Sequence, residues 1–434
     1  MKDGADIVAR DAAVFIHQDG SSPCIGALRA AKGLWIEDVD GRRYIDLHGN
    51  SCHHLGHAHP RIIAALKDQL DQLAFSPRRF ANAPAAELAE RLTARFRGGR
   101  SRLLLMPGGC EAIETAIRLA RIATGRSGII ALEGSYHGHG MGSLALSSGR
   151  LDSRLGSQLT DIHHLTPYWD QAGGGAEAMI ADLAACLAQN RGRIACLVAE
   201  PIRSNAHVPP SDLWTRCAGL CAEQGVKLIF DEIPSGLGKT GRFFAHEHFG
   251  VTPDMVVLGK ALGGGVLPLA AVIADDRLNL APELSVGHFT HEKNPLLARA
   301  ALAMLDVIED GSLVAAAEIR GQQLEKLLDG QTASGLFLRL RGLGLLRALA
   351  FEGAPLGEAL LERTALAVGL SATAKDDFSI GVSLPLISSD EEIRIVAERL
   401  HQMAENLAFL QDAHASAQPR KAHRPNNGQD PHHT

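Results

Sequence analysis

Past residue 100 the chain alternates between short apolar runs and longer stretches with a helical period. The runs RLLLM (102–106), GIIALE (128–133), IACLVAE (194–200), VKLIFDE (226–232), MVVLGK (255–260) and LAAVIAD (269–275) carry polar residues only near their ends. Strands so uniformly apolar are buried on both faces, the condition of a parallel sheet covered by helices. Helical spacing of apolar residues follows over Glu111–Thr124, Ala176–Asn190 and Ser211–Gln224, with Ser211 placed to cap the last. The alternation predicts an α/β fold with a large, mainly parallel sheet over residues 61–300. Beyond about Ala300 the pattern turns to helices with a few short strands and closes on a helix from Asp390 to about Leu410. Residues 301–412 are expected to form a smaller α+β domain with the N-terminal segment 1–60. The polar, proline-containing tail 413–434 is expected to be disordered.

Composition narrows the function. A net charge of −6 and the lack of any lysine and arginine run argue against nucleic-acid binding. The N-terminus MKDGADIVARDAAVF has scattered acids and no long apolar stretch, so it reads as neither signal peptide nor membrane span, and a cytoplasmic protein is expected. Seven irregularly spaced cysteines, several inside apolar runs, read as buried thiols and not a disulfide framework.

In an open α/β sheet the chemistry gathers at the carboxyl ends of the strands. The first run leads into PGGCEAIETAIRLAR, two glycines and then an amphipathic helix, a backbone that can offer amides to a phosphate. Another ends in GSYHGHG, which puts Tyr136 and His137 on a glycine-rich loop. Asp231 ends VKLIFDE, where a carboxylate needs a partner because burying it unpaired is costly. A structural salt bridge or a protonated heteroaromatic nitrogen would each serve. Lys260 leaves MVVLGK into a glycine-rich loop, a place where desolvation lowers an amine's pKa and suits it to Schiff-base chemistry. The triplet Gly263–Gly265 lacks the GxGxxG context of a nicotinamide site.

The order PGGCEA, SYHG, AEPI, DEIPSGLGKTGRFFAHEHFGVTPD, GKALGGGVLPLAAVIA and FTHEKNPLLARAALA resembles the class-III aminotransferases, pyridoxal 5'-phosphate enzymes of fold type I. The resemblance extends from GLWIEDVDGRRYIDL to the last helix. It implies Lys260 as the Schiff-base amine that later moves a proton at the substrate carbon, and Asp231 as partner of the pyridine nitrogen. It further implies Tyr136 and Ile233 on the two ring faces, His137 and Glu200 beside the cofactor, and Gly109 and Cys110 on its phosphate. Thr290 would reach in from a second subunit, so a homodimer with shared sites is expected.

Three positions depart from the family pattern. Cys110 stands where a serine or threonine is usual and is a weak donor. Pro234 replaces a glutamine that would hydrogen-bond the cofactor's phenolic oxygen. Gly381, in SIGVSLPL, stands where many members carry the arginine that binds a substrate carboxylate. HGNSCHHLGHAHP, FSPRRFAN, PIRSNAHVPP and FTHEKNP are similar to the branch that contains (R)-1-hydroxy-2-aminoethylphosphonate ammonia-lyase. That likeness implies a small-molecule amine substrate bearing a phosphonate, with Arg78, Arg79, Arg203 and Lys293 as candidate anion contacts. A transaminase that moves the amino group to a keto acid is the alternative, and an idle binding protein is a third reading that an intact Asp231 and Lys260 oppose.

SCHHLGHAHP, from Ser51 to Pro60, gathers histidines as a metal site would. His53 and His57 have the i, i+4 spacing of helical ligands, but Gly56 and the HxHP pattern break a helix there, and Pro60 suits the start of the next. No metal is expected. The stretch reads as polar lining, with His48, Asn50 and His54 as candidate substrate contacts.

Overall fold

The computed structural model describes residues 4–18, 20–96, 100–148, 152–156, 158–330, 332–333, 336–352 and 355–417. Helix α1 (Gly4–Val14) leads into the antiparallel strands β1 (Leu28–Lys32), β2 (Trp35–Asp38) and β3 (Arg43–Asp46). Helix α2 (Pro60–Gln72) opens on Pro60, whose missing N–H costs nothing at that position. Helix α3 (Ala83–Arg95) is capped by the Asn82 side chain, which accepts from the Ala85 amide at 3.0 Å.

The six apolar runs, joined by a strand over Ile162–Leu165 that the pattern did not predict, form one seven-stranded sheet. Its elements are β4 (Ser101–Met106), α4 (Gly109–Thr124), β5 (Gly128–Leu132), α5 (Met141–Leu146), β6 (Ile162–Leu165), α6 (Gly175–Gln189), β7 (Ile194–Ala199), α7 (Leu213–Glu223), β8 (Lys227–Asp231), β9 (Met255–Leu258) and β10 (Ala270–Asp275). The strand order is β4-β10-β9-β8-β7-β5-β6. Every residue of β5, β7, β9 and β10 is buried, as strands covered on both faces must be. Only β10 runs antiparallel to its neighbours, so β4, β5, β7, β8 and β9 all end on the same edge. Helix α7 begins at Leu213, later than expected, and Ser211 does not cap it. The preceding Asp212 is already helical, at φ −94° and ψ −10°, and lacks the extended conformation a capping side chain needs.

Helices α8 (Pro295–Asp310) and α9 (Leu313–Leu328) precede β11 (Thr332–Ala333), β12 (Leu336–Leu343) and β13 (Leu346–Glu352). Helix α10 (Glu358–Ala367), β14 (Leu370–Ser371), β15 (Ala374–Asp376), β16 (Ser379–Ser383) and α11 (Asp390–Ala417) complete the chain. A five-stranded sheet has the order β11-β12-β13-β16-β15, while β14 pairs with β3 in parallel, Leu370 opposite Ile45. We propose a large unit over 61–300 and a smaller one from both chain ends, a division that the β3–β14 pairing supports. Helix α11 outruns the expected end near Leu410 and enters the tail expected to be disordered; residues 418–434 lie outside the described part. Among the described residues no helix is long and apolar enough to cross a membrane. Burial of the thiols is narrower than expected: Cys196, Cys217 and Cys221 are buried, Cys52, Cys110 and Cys186 are half-buried, and Cys24 is exposed.

The histidine-rich stretch is organised by Asp46. One carboxylate oxygen accepts from the amides of His48 and Gly49 at 3.0 and 2.9 Å, and the other lies 2.8 Å from His57 Nε2. His53 Nε2 contacts the Asp46 carbonyl at 3.1 Å. Burial alone would raise the Asp46 pKa, but His57, His53 and the two amides hold it down to about 2. A depressed carboxylate stabilises the fold above its usual pKa, and that contribution fades as pH falls toward 2. Asp46→Asn is expected to lower unfolding stability at pH 7 by about 2 kcal/mol, read from the urea midpoint. An unchanged midpoint would separate Asp46 from the stability of this segment.

Candidate active site

Strand β4 ends at Met106, and Pro107 and Gly108 turn the chain into α4. Gly108 occupies the cap position without a side chain, so no capping group covers the first-turn amides of Gly109 and Cys110. Glycine is required for the fit: a Cβ on Gly109 would come 2.7 Å from Ile233 Cδ1, and one on Gly138 would collide with Cys110 Sγ. Cys110 Sγ accepts from the His139 amide at 3.2 Å, tying the glycine-rich loop after β5 to the helix start.

Strand β8 delivers Asp231, only 2% exposed, to the same edge. One carboxylate oxygen accepts from the Ile233 amide at 3.0 Å, and the other lies 2.7 Å from His137 Nδ1. His137 is itself buried, and among the described residues its Nε2 has no hydrogen-bond partner. A buried carboxylate with so few donors is poised to take one more cationic partner. Strand β9 ends at Leu258, and Lys260 follows in a left-handed conformation, φ 47°. For a residue with a Cβ this is strained backbone, of the kind that concentrates at functional sites.

Two adjoining hollows, of about 360 and 170 Å³, share Gly109 and Lys260. The smaller is lined by Cys110, Tyr136, His137, Glu200, Asp231, Ile233 and Pro234 as well. Cys52 borders the larger one, a contact sequence reading missed because its neighbours gave only the appearance of a ligand cluster. Tyr136 Oη lies 3.0 Å from His139 Nδ1. Glu200 is 2% exposed; burial works to raise its pKa, but Arg203, His137, the Ser204 amide and Lys260 together lower it.

The anticipated substrate contacts divide. Arg203 is already held by Glu200, the Gly134 carbonyl and Ser204 Oγ, so its guanidinium serves the site's own acid. His48 lies near the lysines: burial first, then the charges of Lys375 and Lys260, lower its pKa to about 4. Asn50 is exposed and left-handed in the turn beside it. His54 is not brought to the hollows: its ring is buried, with Nε2 3.2 Å from the Gly236 carbonyl, and burial pushes its pKa well down. Arg78 and Arg79 lie on the turn before α3, half-buried and exposed. Thr290 and Lys293 belong to the loop before α8; Thr290 is exposed, and the Lys293 ammonium lies 3.8 Å from the Glu292 carboxylate.

These residues fit pyridoxal phosphate. A helix start without a capping side chain suits a phosphate, a buried carboxylate suits a protonated ring nitrogen, and a lysine bordering both hollows suits an aldehyde. With the strand-end placement on a largely parallel sheet, they define a pyridoxal-phosphate enzyme of fold type I. The chain belongs to the class-III aminotransferase family, whose model matches residues 16–404. It is 34% identical over 423 residues to (R)-1-hydroxy-2-aminoethylphosphonate ammonia-lyase of Vibrio splendidus, covering 90% of this chain and 88% of that protein. It is also 34% identical over 388 residues to acetylornithine aminotransferase of Mycobacterium tuberculosis, covering 88% and 92%. An amine transaminase from an uncultivated Pseudomonas species, solved with pyridoxal phosphate bound, superposes with a TM-score of 0.81 at 28% identity over 92% of this chain and 98% of its own.

Proposed function

We propose that the enzyme is an ammonia-lyase that converts (R)-1-hydroxy-2-aminoethylphosphonate to phosphonoacetaldehyde and ammonia. The observation that carries this reading is Gly381, a buried residue of β16 without a side chain where many family members hold a substrate carboxylate with arginine. A transaminase must bind two amino-acid and keto-acid pairs in turn, whereas a lyase binds one substrate. The likeness to the Vibrio splendidus lyase over most of both chains supports the same choice.

The bound cofactor supplies an electrophilic carbonyl for the amine and a ring that draws electrons from the adjacent carbon. Gly109 and Cys110 would hold its phosphate through backbone amides, and Asp231, oriented by His137 and the Ile233 amide, would hold its ring nitrogen. Tyr136 and Ile233, which line the smaller hollow, would confine the ring, and Glu200, paired with Arg203, lines the same hollow. Lys260 anchors the resting cofactor and, once freed, takes the proton from the carbon that bears nitrogen. The hydroxyl on the neighbouring carbon departs as water, and the enamine product hydrolyses to phosphonoacetaldehyde and ammonia. Thr290, exposed in a single chain, reaches the phosphate of a second copy in a homodimer.

The acetylornithine aminotransferase likeness favours the second reading, a transaminase. Purified holoenzyme given the hydroxylated aminophosphonate is expected to release ammonia at the same rate with and without pyruvate. Strict dependence on pyruvate would sink the lyase reading.

A further inference from the structure

We propose that Lys375 is a specificity-determining residue that anchors the anionic end of the substrate, delivered by a β-bulge into space that Gly381 leaves open. The inference deepens the reading above and rests on it for a substrate with an acidic group. In the β15–β16 hairpin Ala374 pairs with Ile380 and Asp376 with Ser379, so two steps on one strand face one on the other and Lys375 is the extra residue. A bulge of this kind re-aims a side chain out of the regular alternation. Here it lays Lys375 across its partner strand: Cε and Nζ lie 2.5 and 3.2 Å from where a Cβ of Gly381 would stand. Lysine and glycine are therefore complementary, since a side chain at 381 would displace the end of this one from its present place. The position that lost its arginine is supplied with a cation from the neighbouring strand.

The surrounding charges single out the same residue. Arg203 is occupied by Glu200 and the Gly134 carbonyl. Arg341, on the face of β12 that looks toward Gly381 through Ala348, donates to Asp376 and Ser379 at 2.9 Å each and to the Asn205 carbonyl at 3.2 Å. Among the described residues the Lys375 ammonium has no hydrogen bond and no ion pair. Its neighbours are mostly cations: burial, then Lys260 and Arg203, lower its pKa to about 8, with Glu362 opposing and Arg341 adding to the effect. After burial, the charges of both Lys375 and Lys260 lower the His48 pKa, so the two ammonium groups share this neighbour. A half-buried cation among like charges, with no ion pair among the described residues, is a site for an incoming phosphonate or carboxylate.

The test is binding to holoenzyme, read from the cofactor absorbance on rapid mixing with 2-aminoethylphosphonate, β-alanine or ethanolamine. Lys375→Met is expected to weaken 2-aminoethylphosphonate roughly 10- to 100-fold, the loss of one charge-assisted bond, and to leave ethanolamine within about twofold. Lys375→Arg is expected to recover most of the loss, and β-alanine reports whether a carboxylate is held as well as a phosphonate. Gly381→Ala keeps the lysine but takes its space, so it should reproduce the selective loss even if Lys375→Met folds poorly. Equal weakening of all three amines, or none, overturns the proposal. The outcome is independent of whether ammonia release needs pyruvate, so a failed lyase reading and a failed anchor are told apart.

Discussion

Lys260→Ala is expected to abolish borohydride trapping of the cofactor on the chain and to slow turnover by about 10³-fold or more. Both losses follow from one atom. Lys260 borders both hollows beside Gly109, and its left-handed backbone, φ 47°, fixes where the amine emerges after β9. Trapping reports the covalent bond and is read by mass on intact protein; turnover reports the proton at the substrate carbon. Alanine leaves the helix-start amides and Asp231 in place, so the variant should still retain cofactor noncovalently. Trapping that persists in Lys260→Ala would move the Schiff base to another lysine, with Lys375 and the buried Lys239 the amines to examine next.

Asp231→Asn is expected to cost about 10² to 10³ in rate, the scale for removing a preorganised electrostatic partner. The carboxylate is 2% exposed and makes two contacts, to His137 Nδ1 and the Ile233 amide. Asparagine preserves the size and one acceptor, so cofactor content and the thermal midpoint should change little. What is lost, on the proposed role, is the negative charge that would keep a ring nitrogen protonated. A variant within threefold of the parent rate, with cofactor bound, would show that Asp231 does not govern the ring.

The sheet was legible because β5, β7, β9 and β10 are apolar throughout and leave no ambiguity of face. The placement of Asp231 and Lys260 was legible for the same reason: both stand where apolar runs stop. Arg203 was harder to read, because an arginine three residues after Glu200 can serve either a ligand or its own neighbour, and here the neighbour has it. His54 shares its sequence context with His48, yet its ring is buried against the Gly236 carbonyl while His48 is half-buried. Lys375 gave no signal at all. Its direction depends on a one-residue mismatch between β15 and β16, and a pairing offset between short strands leaves no periodicity to detect.

The most direct measurement is the product ratio when holoenzyme turns over (R)-1-hydroxy-2-aminoethylphosphonate in the presence of excess pyruvate, with ammonia and alanine quantified together. Elimination predicts one ammonia for each phosphonoacetaldehyde and no alanine. Alanine formed in step with substrate consumption, with no matching ammonia, would contradict the account.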